Sequence, residues 1–564
     1  MPSLGSLIEA IKVPRETPGT GHEWSNEDLR PSPPEDRKWN KWVYLAFWCA
    51  HAAGAGSWTS GSAVISLGLS PLAAWLTLAT SHLFITILIV INGRGPARYH
   101  VGFPMMARAA YGMWGSYMAI GMRAIVCIIW NGTNAYYGSR LVTVAITAIW
   151  PRYKNLPNTL PENASIDSVG LASFFIFMLF FVGLSFVHSR DLKWLYIIKS
   201  YFVGASMLGI LIWWMVKANG ASFNAWTTPK VLTGSAKAWL VLQTFNAGLG
   251  SASSLTVNQG DMARYATHPN DQLWTTLIAY PLASALPCLF GVLVASAAYR
   301  VTGTAYWNLW DTLDFMLDQY PANRGARFLI CIAAIALALA YLGVNLATNC
   351  LPFGSDMSAM FPRWFTIRRG QVIVAILSAA IVPWKILNDA AKFITFLSGY
   401  GYWLAPIASI LATDYYLIRR GDIDVTQLYT SDPNGRYWYT KGWNWRAATT
   451  TVVVLIPCLP GFAAQLGNTS VSLTGKRLFY ISFVLTYALG VLMYWGLYKL
   501  FPETKSHDAS LGWEQLANEA DARECADAAL SHVEEAGSQD SGEEKRAEEE
   551  KGDAHAYVAA VGRD

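Results

Sequence analysis

The sequence predicts an all-α membrane protein of about twelve spanning helices, and three observations carry that prediction. Hydrophobic residues make up 53% of the chain and charged residues 14%, where soluble domains carry roughly 25% charge. About twelve apolar segments reach bilayer-crossing length. The first and sixth of them are interrupted near their middles by glycine and serine, and backbone leaves a helix at membrane depth only beside protein or water.

Residues 1 to 40 are polar and lack apolar periodicity, with prolines at Pro31, Pro33 and Pro34, so they read as a disordered cytosolic arm without a cleavable signal segment. Arg37, Lys38 and Lys41 mark where the arm meets the membrane. The transmembrane domain occupies 41 to 500. Its apolar segments run near 42 to 69, 72 to 92, 105 to 149, 169 to 188, 194 to 216, 238 to 258, 273 to 298, 325 to 352, 371 to 387, 391 to 417, 447 to 465 and 478 to 500. The third is too long for one straight crossing, so part of it tilts or lies in the interface. Beyond Leu500 the run Glu543, Glu544, Glu548, Glu549 and Glu550 has no apolar face, and 501 to 564 reads as an acidic, disordered cytosolic tail. Lys545 and Lys551 there are candidate acceptors for the ubiquitination machinery.

Basic residues set the orientation. Arg94 and Arg98, then His188, Arg190 and Lys193, then Arg264, then Arg363, Arg368 and Arg369, then Arg419 and Arg420 fall on one side, which is cytosolic by the positive-inside rule. Both termini then face the cytosol. Arg152, Lys154 and Lys230 fall on the other side, so the bias is a tendency. The sequons at Asn163 and Asn468 also fall outside. The near balance of 42 Lys+Arg against 38 Asp+Glu, without a basic stripe, excludes a nucleic-acid partner. The seven cysteines sit mostly singly in apolar runs with no metal-ligand spacing, which leaves them as small buried hydrophobes.

The first interruption spans Cys49 to Gly61 and contains Gly54 and Ser57; the sixth spans Phe245 to Ser254 and contains Gly250 and Ser251. A repeat of five helices inverts each copy, so two breaks at positions one and six are expected to meet near the midplane as a binding site. The plain alternative is that these small residues let helices pack closely. Trp130 and Asn134 share a helix face, as do Asn345 and Asn349. An indole face stacks on a flat ring, and an amide offers a donor and an acceptor to a ring edge, so the set suits a planar, neutral heterocycle. Alternatively the asparagines bond helices together.

Ionisable residues inside spans are functional candidates by default. They are His51, which titrates near neutrality and suits a coupled proton, Lys199, and Asp261 and Asp356 at helix ends. Asp261 with Arg264 reads as a structural or gating pair. The absence of an acidic residue at mid-membrane argues against a strongly cationic substrate. With no Walker loop, no GxSxG with partners and no HExxH, an enzyme is not indicated, no cofactor is expected, and transport would run on an ion gradient.

These residues fall into a familiar pattern. Asp28-Leu29-Arg30-Pro31, Gly93-Arg94 with Tyr99-His100-Val101-Gly102-Phe103-Pro104, Leu156 to Pro161, Asn345 to Asn349 with Gly354-Ser355-Asp356-Met357, and Gly442 to Ala447 resemble the nucleobase-cation-symport-1 family. The likeness is to its fungal uracil, allantoin and uridine permease branch, over roughly 25 to 503. The resemblance implies a LeuT-like five-plus-five inverted repeat with two extra C-terminal helices. It also implies that Trp130 stacks on the substrate, that Asn134 and Asn349 bond its polar edge, and that Lys199 serves binding or coupling. Sodium-coupled relatives place hydroxyl residues where Gly343 and Val344 stand, so the proton is the implied coupling ion and sodium the lesser alternative. The chain departs from its branch at His51, usually acidic, at Gly54, usually asparagine, and at Asn134, usually glutamine.

The expectation is therefore a plasma-membrane proton symporter in membrane lipid, taking a neutral nucleobase, nucleoside or ureide. A thiamine or nicotinamide riboside carrier of the same family, and a non-transporting receptor, are the alternatives.

Overall fold

The computed structural model of the chain describes residues 12–13, 24–52, 54–187, 192–219, 227–230, 232–385, 390–430 and 432–503. The tail beyond 503, expected to be disordered, the lysines in it, and His188 and Arg190 lie outside these residues.

The first crossing is two helices, α1 (Lys41–Ala52) and α2 (Ala55–Ser66), meeting where predicted. Gly54 is extended there (φ −123°, ψ 164°), which ends the α1 hydrogen-bond ladder and starts α2 afresh. Next come α3 (Pro71–Tyr99), the short α4 (Phe103–Tyr111) and α5 (Ser116–Ile149). The over-long third segment is thus two helices. Gly112, at φ +90°, makes the turn that separates them. After α6 (Ser168–Ser185) and α7 (Lys193–Lys217) comes α8 (Gly234–Ala263).

Helix α8 corrects an expectation, for it runs unbroken through the Gly/Ser stretch predicted to interrupt it. Its hydroxyls bond back into their own helix: Ser251 Oγ donates to the Gly248 carbonyl (2.7 Å), Ser253 to Gly250 (2.9 Å) and Thr256 to Ser253 (2.6 Å). Gly250 is small because a Cβ there would collide with the Leu397 carbonyl. The close-packing alternative holds for this segment.

The chain continues through α9 (Leu273–Thr302), the amphipathic α10 (Leu309–Gln319) and α11 (Arg324–Asn345). A π-helical turn over Leu346–Cys350 joins α11 to α12 (Leu351–Met360). Then follow α13 (Ile367–Ala380), α14 (Ala390–Thr413, ending in a second π turn over Asp414–Ile418), α15 (Trp445–Leu455), α16 (Leu459–Gln465), α17 (Leu473–Phe479) and α18 (Ser482–Leu500). Eight helical stretches among the described residues are long and apolar enough to cross a membrane. The α1–α2 pair, the polar-studded α5 and α8, and the short α13 complete the predicted set of twelve.

Helix α3 packs on α8, α9 on α2 and α3, α11 on α5, and α14 on α8 and α18. One face of this bundle carries the N-terminal segment. Residues 24 to 40 are not loose as predicted but lie as a strap across the helix ends, with Leu29 buried. Asn26 donates to the Pro362 and Phe365 carbonyls (3.3 and 3.0 Å). Arg264 donates to Ser32 Oγ (2.8 Å) and to the Asp28 (2.9 Å) and Arg30 carbonyls. Arg108 reaches the Trp24 carbonyl (3.0 Å) and Tyr429 the Leu29 carbonyl (2.9 Å). A polar segment with no apolar period is ordered here because buried donors at helix ends take up its backbone carbonyls.

Candidate substrate site

A cavity of about 110 Å³ opens at the α1–α2 break. His51, Gly54 and Ser57 reach it from the first crossing, His82 from α3, Trp130, Asn134 and Tyr137 from α5, and Ser251 and Ser254 from α8. Tyr280 of α9, Tyr341 of α11, Asn349 of the π turn, and Phe393 and Tyr400 of α14 complete its principal walls. No acidic side chain lines it among the described residues.

The amide cluster is held together by its own hydrogen bonds. Asn345 is fully buried behind the cavity wall, and its Oδ1 accepts from Asn134 Nδ2 (3.0 Å) and Asn349 Nδ2 (2.9 Å). Its own Nδ2 donates to the Asn131 carbonyl (3.0 Å). Asn345 therefore aims the two amides that line the cavity, and is not itself in the lining. With one N–H of each amide held from behind, each keeps an N–H and a carbonyl oxygen for a ligand. The π turn carries Asn349, and such turns recur at functional sites. Trp130 is propped edge-on by Phe396 (5.1 Å between centroids, 67°) and Tyr400 (5.3 Å, 81°). Those edge contacts fix the plane of the indole beside the amides.

Of the other predicted site residues, Ser251 lines the cavity and Gly250 does not, sitting at the α8–α14 crossing. Lys199 is buried on α7 against Gly343 of α11, where an added Cβ would lie 3.2 Å from Nζ, and it is outside the lining. His51 is half-buried and stacks between Phe47 (5.9 Å, 9°) and Tyr280 (6.4 Å, 22°).

Asp261 stands apart from the cavity, and its partner is not Arg264. The guanidinium of Arg123, fully buried, donates from Nη1 to Asp261 Oδ2 (2.6 Å) and from Nε and Nη2 to Asp356 (3.0 and 2.5 Å). It lies 3.9 Å over the Phe103 ring. Ser355 Oγ and the Phe103 N–H donate to Asp261 Oδ1 (3.1 and 3.2 Å). The cluster ties α5, α8 and α12 together near the strap face, while Arg264 holds the strap itself.

Sequence reasoning missed Arg123, His82, Tyr280 and Tyr341. An arginine inside an apolar helix, and a histidine in the apolar run of α3, are signals that the rule for ionisable groups in spans would have caught. The tyrosines carried none.

A helical bundle whose central cavity opens at a broken helix, lined by an aromatic face and aimed amides, defines a membrane carrier of small molecules. The model of permeases for cytosine/purines, uracil, thiamine and allantoin matches residues 31–490, and the chain belongs to that family. The uracil and allantoin permeases of Saccharomyces cerevisiae are each 30% identical to it over 484 residues, covering 85% of this chain and 76% of each permease. Mhp1, a nucleobase-cation-symport-1 family transporter solved in a closed conformation with bromovinylhydantoin bound, matches in fold with a TM-score of 0.64 at 19% identity. That match covers 88% of this chain and all of Mhp1. The fold is the LeuT-like inverted repeat the sequence predicts, and the protein is a secondary transporter rather than an enzyme.

Proposed function

We propose that this protein is a proton symporter of the plasma membrane, with both termini in the cytosol, that carries a neutral nucleobase, nucleoside or ureide inward by alternating access. The observation that carries the reading is the pair of cavity amides, Asn134 and Asn349, aimed through Asn345 beside the Trp130 indole. A planar ring stacked on the indole would present its N–H and C=O edge to those amides. The uracil and allantoin named for the relatives are compounds of this kind. Thiamine, which the family description also names, carries a permanent positive charge, and no carboxylate lines the cavity among the described residues to meet it.

For coupling, Gly343 and Val344 supply no hydroxyl to a sodium ion, and Lys199 packs against Gly343. A buried, titratable amine next to the moving helices, with His51 at the helix break, suits a proton. Uptake of a radiolabelled panel in cells, with and without a protonophore, tests both parts. Transport of at least one uncharged heterocycle that collapses with the proton gradient is expected. No uptake of any such compound, or uptake indifferent to the gradient, would overturn the reading. Substitution of His51 is expected to shift the pH profile of uptake, and an unmoved profile would leave it a structural residue.

A further inference from the structure

The walls of the cavity carry different polar groups. On the α5–α11 side the amides are held by one another. Along another part of the lining, where α3 and α9 pack on each other and on the first crossing, His51, His82 and Tyr280 form a continuous aromatic wall. The Tyr280 ring lies 6.4 Å from His51 and 5.9 Å from His82. His82 is 2% exposed; its Nδ1 leans on the Leu78 carbonyl one turn back but makes no hydrogen bond of adequate geometry. His51 and Tyr280 line the cavity beside it and meet each other by ring contact, with Phe47 on the far face of His51. Buried polar groups are almost always paired, so the His82 ring nitrogen calls for a partner from the cavity, and the His51 imidazole and Tyr280 phenol beside it offer the same chemistry.

The chemistry of that wall differs from the amide side. A neutral imidazole offers one donor and one acceptor, and a phenol offers both from one atom. Neighbouring hydroxyls on a ligand are donors and acceptors in the same way and can satisfy such groups in either sense. The fixed edge of a heterocycle is already met by Asn134 and Asn349 elsewhere in the lining. Resting on the function proposed above, we propose that His51, Tyr280 and His82 form a second subsite for a hydroxylated substituent carried on the heterocycle. The preferred substrate is then a nucleoside rather than the bare base.

The test uses the full-length protein in detergent or nanodiscs and three base–nucleoside pairs: uracil and uridine, cytosine and cytidine, adenine and adenosine. Binding of each is measured by calorimetry, together with the 2′,3′-dideoxy form of whichever nucleoside binds best. The nucleoside is expected to bind about tenfold or more tightly than its base, because a site built for hydroxyls leaves its own groups unpaired when they are missing. The dideoxy form should fall back to the level of the base. Tyr280→Phe, which keeps the ring packing and removes one hydroxyl, and His82→Phe should each pull the nucleoside-to-base ratio toward one. Tyr280→Phe carries the test alone if His82→Phe does not yield folded protein. Base binding with no nucleoside preference, a dideoxy form that binds like its parent, or a ratio unmoved in Tyr280→Phe would overturn the subsite and leave the function standing. No binding of any of these compounds would overturn the subsite, and no binding of allantoin either would overturn the function as well.

Discussion

The Arg123 cluster and the His51–Tyr280–His82 wall are both polar, both inside the bundle, and opposite in their accounting of partners. Around Arg123, two carboxylates share one guanidinium, and Ser355, Asn258 and three backbone groups take up what remains. Along the cavity wall the His82 ring nitrogen has no hydrogen-bond partner among the described residues. The contrast separates scaffold from site. A buried charge persists only when its surroundings pair it, whereas a binding surface must keep its groups for the ligand.

The largest effect is expected where pairing is complete. Arg123→Leu strands Asp261 and Asp356, and removing one partner of a buried ion pair costs about 3–5 kcal/mol. The variant should give little monodisperse protein and a markedly lower Tm; a wild-type Tm would place the cluster outside the scaffold. Trp130→Ala and Asn349→Ala should invert that pattern, abolishing uptake while the protein reaches the cell surface in normal amount. Normal uptake by either variant removes that residue from the site. Asn345→Ala sharpens the comparison further, since this residue acts on ligand only through its neighbours. Uptake should show a raised KM with the fold intact, and an unchanged KM would mean the two amides hold their orientation unaided.

A smaller effect belongs to the strap. Arg264→Ala removes three hydrogen bonds to residues 28 to 32, each worth about 1–3 kcal/mol where a charged group donates. Hydrogen exchange of amides 24 to 37 should speed while the exchange of α5 and α8 holds. Equal protection in wild type and variant would show that the other strap contacts suffice.

The smallest effect is a pH dependence at the same face. His100, between α3 and α4, bonds from its Nδ1 to the Arg264 carbonyl (3.2 Å), and its own carbonyl takes the Ser32 N–H (2.9 Å). Burial, with help from the nearby Arg37 and Arg264 charges, lowers its pKa from 6.5 to about 4. The unfolded state therefore binds the proton first, so this contribution is intact above pH 6.5 and is lost as pH falls toward 4. Exchange in the strap should quicken over that window and do so less in His100→Gln. An identical pH response in the variant would assign the effect to another group.

Much of this molecule was legible in the sequence. The spans, the break near Gly54, and the faces shared by Trp130 with Asn134 and by Asn345 with Asn349 follow from composition and spacing along single helices, and the family from the resemblance of its motifs. What escaped had a common cause. The Gly/Ser run of α8 looks like that around the α1–α2 junction, yet α8 stays helical throughout, its Gly250 packed on the Leu397 backbone, while the first crossing breaks at Gly54. A polar arm reads as loose until Arg264 is found above it. Asp261 sits three residues from Arg264, one turn of α8, and bonds instead to Arg123 on α5.

By itself, then, the sequence determined the class of this protein, its passes and the chemical types gathered for a flat neutral ligand. Hydropathy and helical period act locally, within one segment at a time. Only the tertiary structure decided which polar group is spent on another and which is left for a ligand. It placed Asn345 behind the wall, Asn134 and Asn349 in it, and His82 and Tyr280 elsewhere in the lining. Partnership inside a bundle depends on the register and rotation of helices against each other, and spacing along any one helix does not encode them.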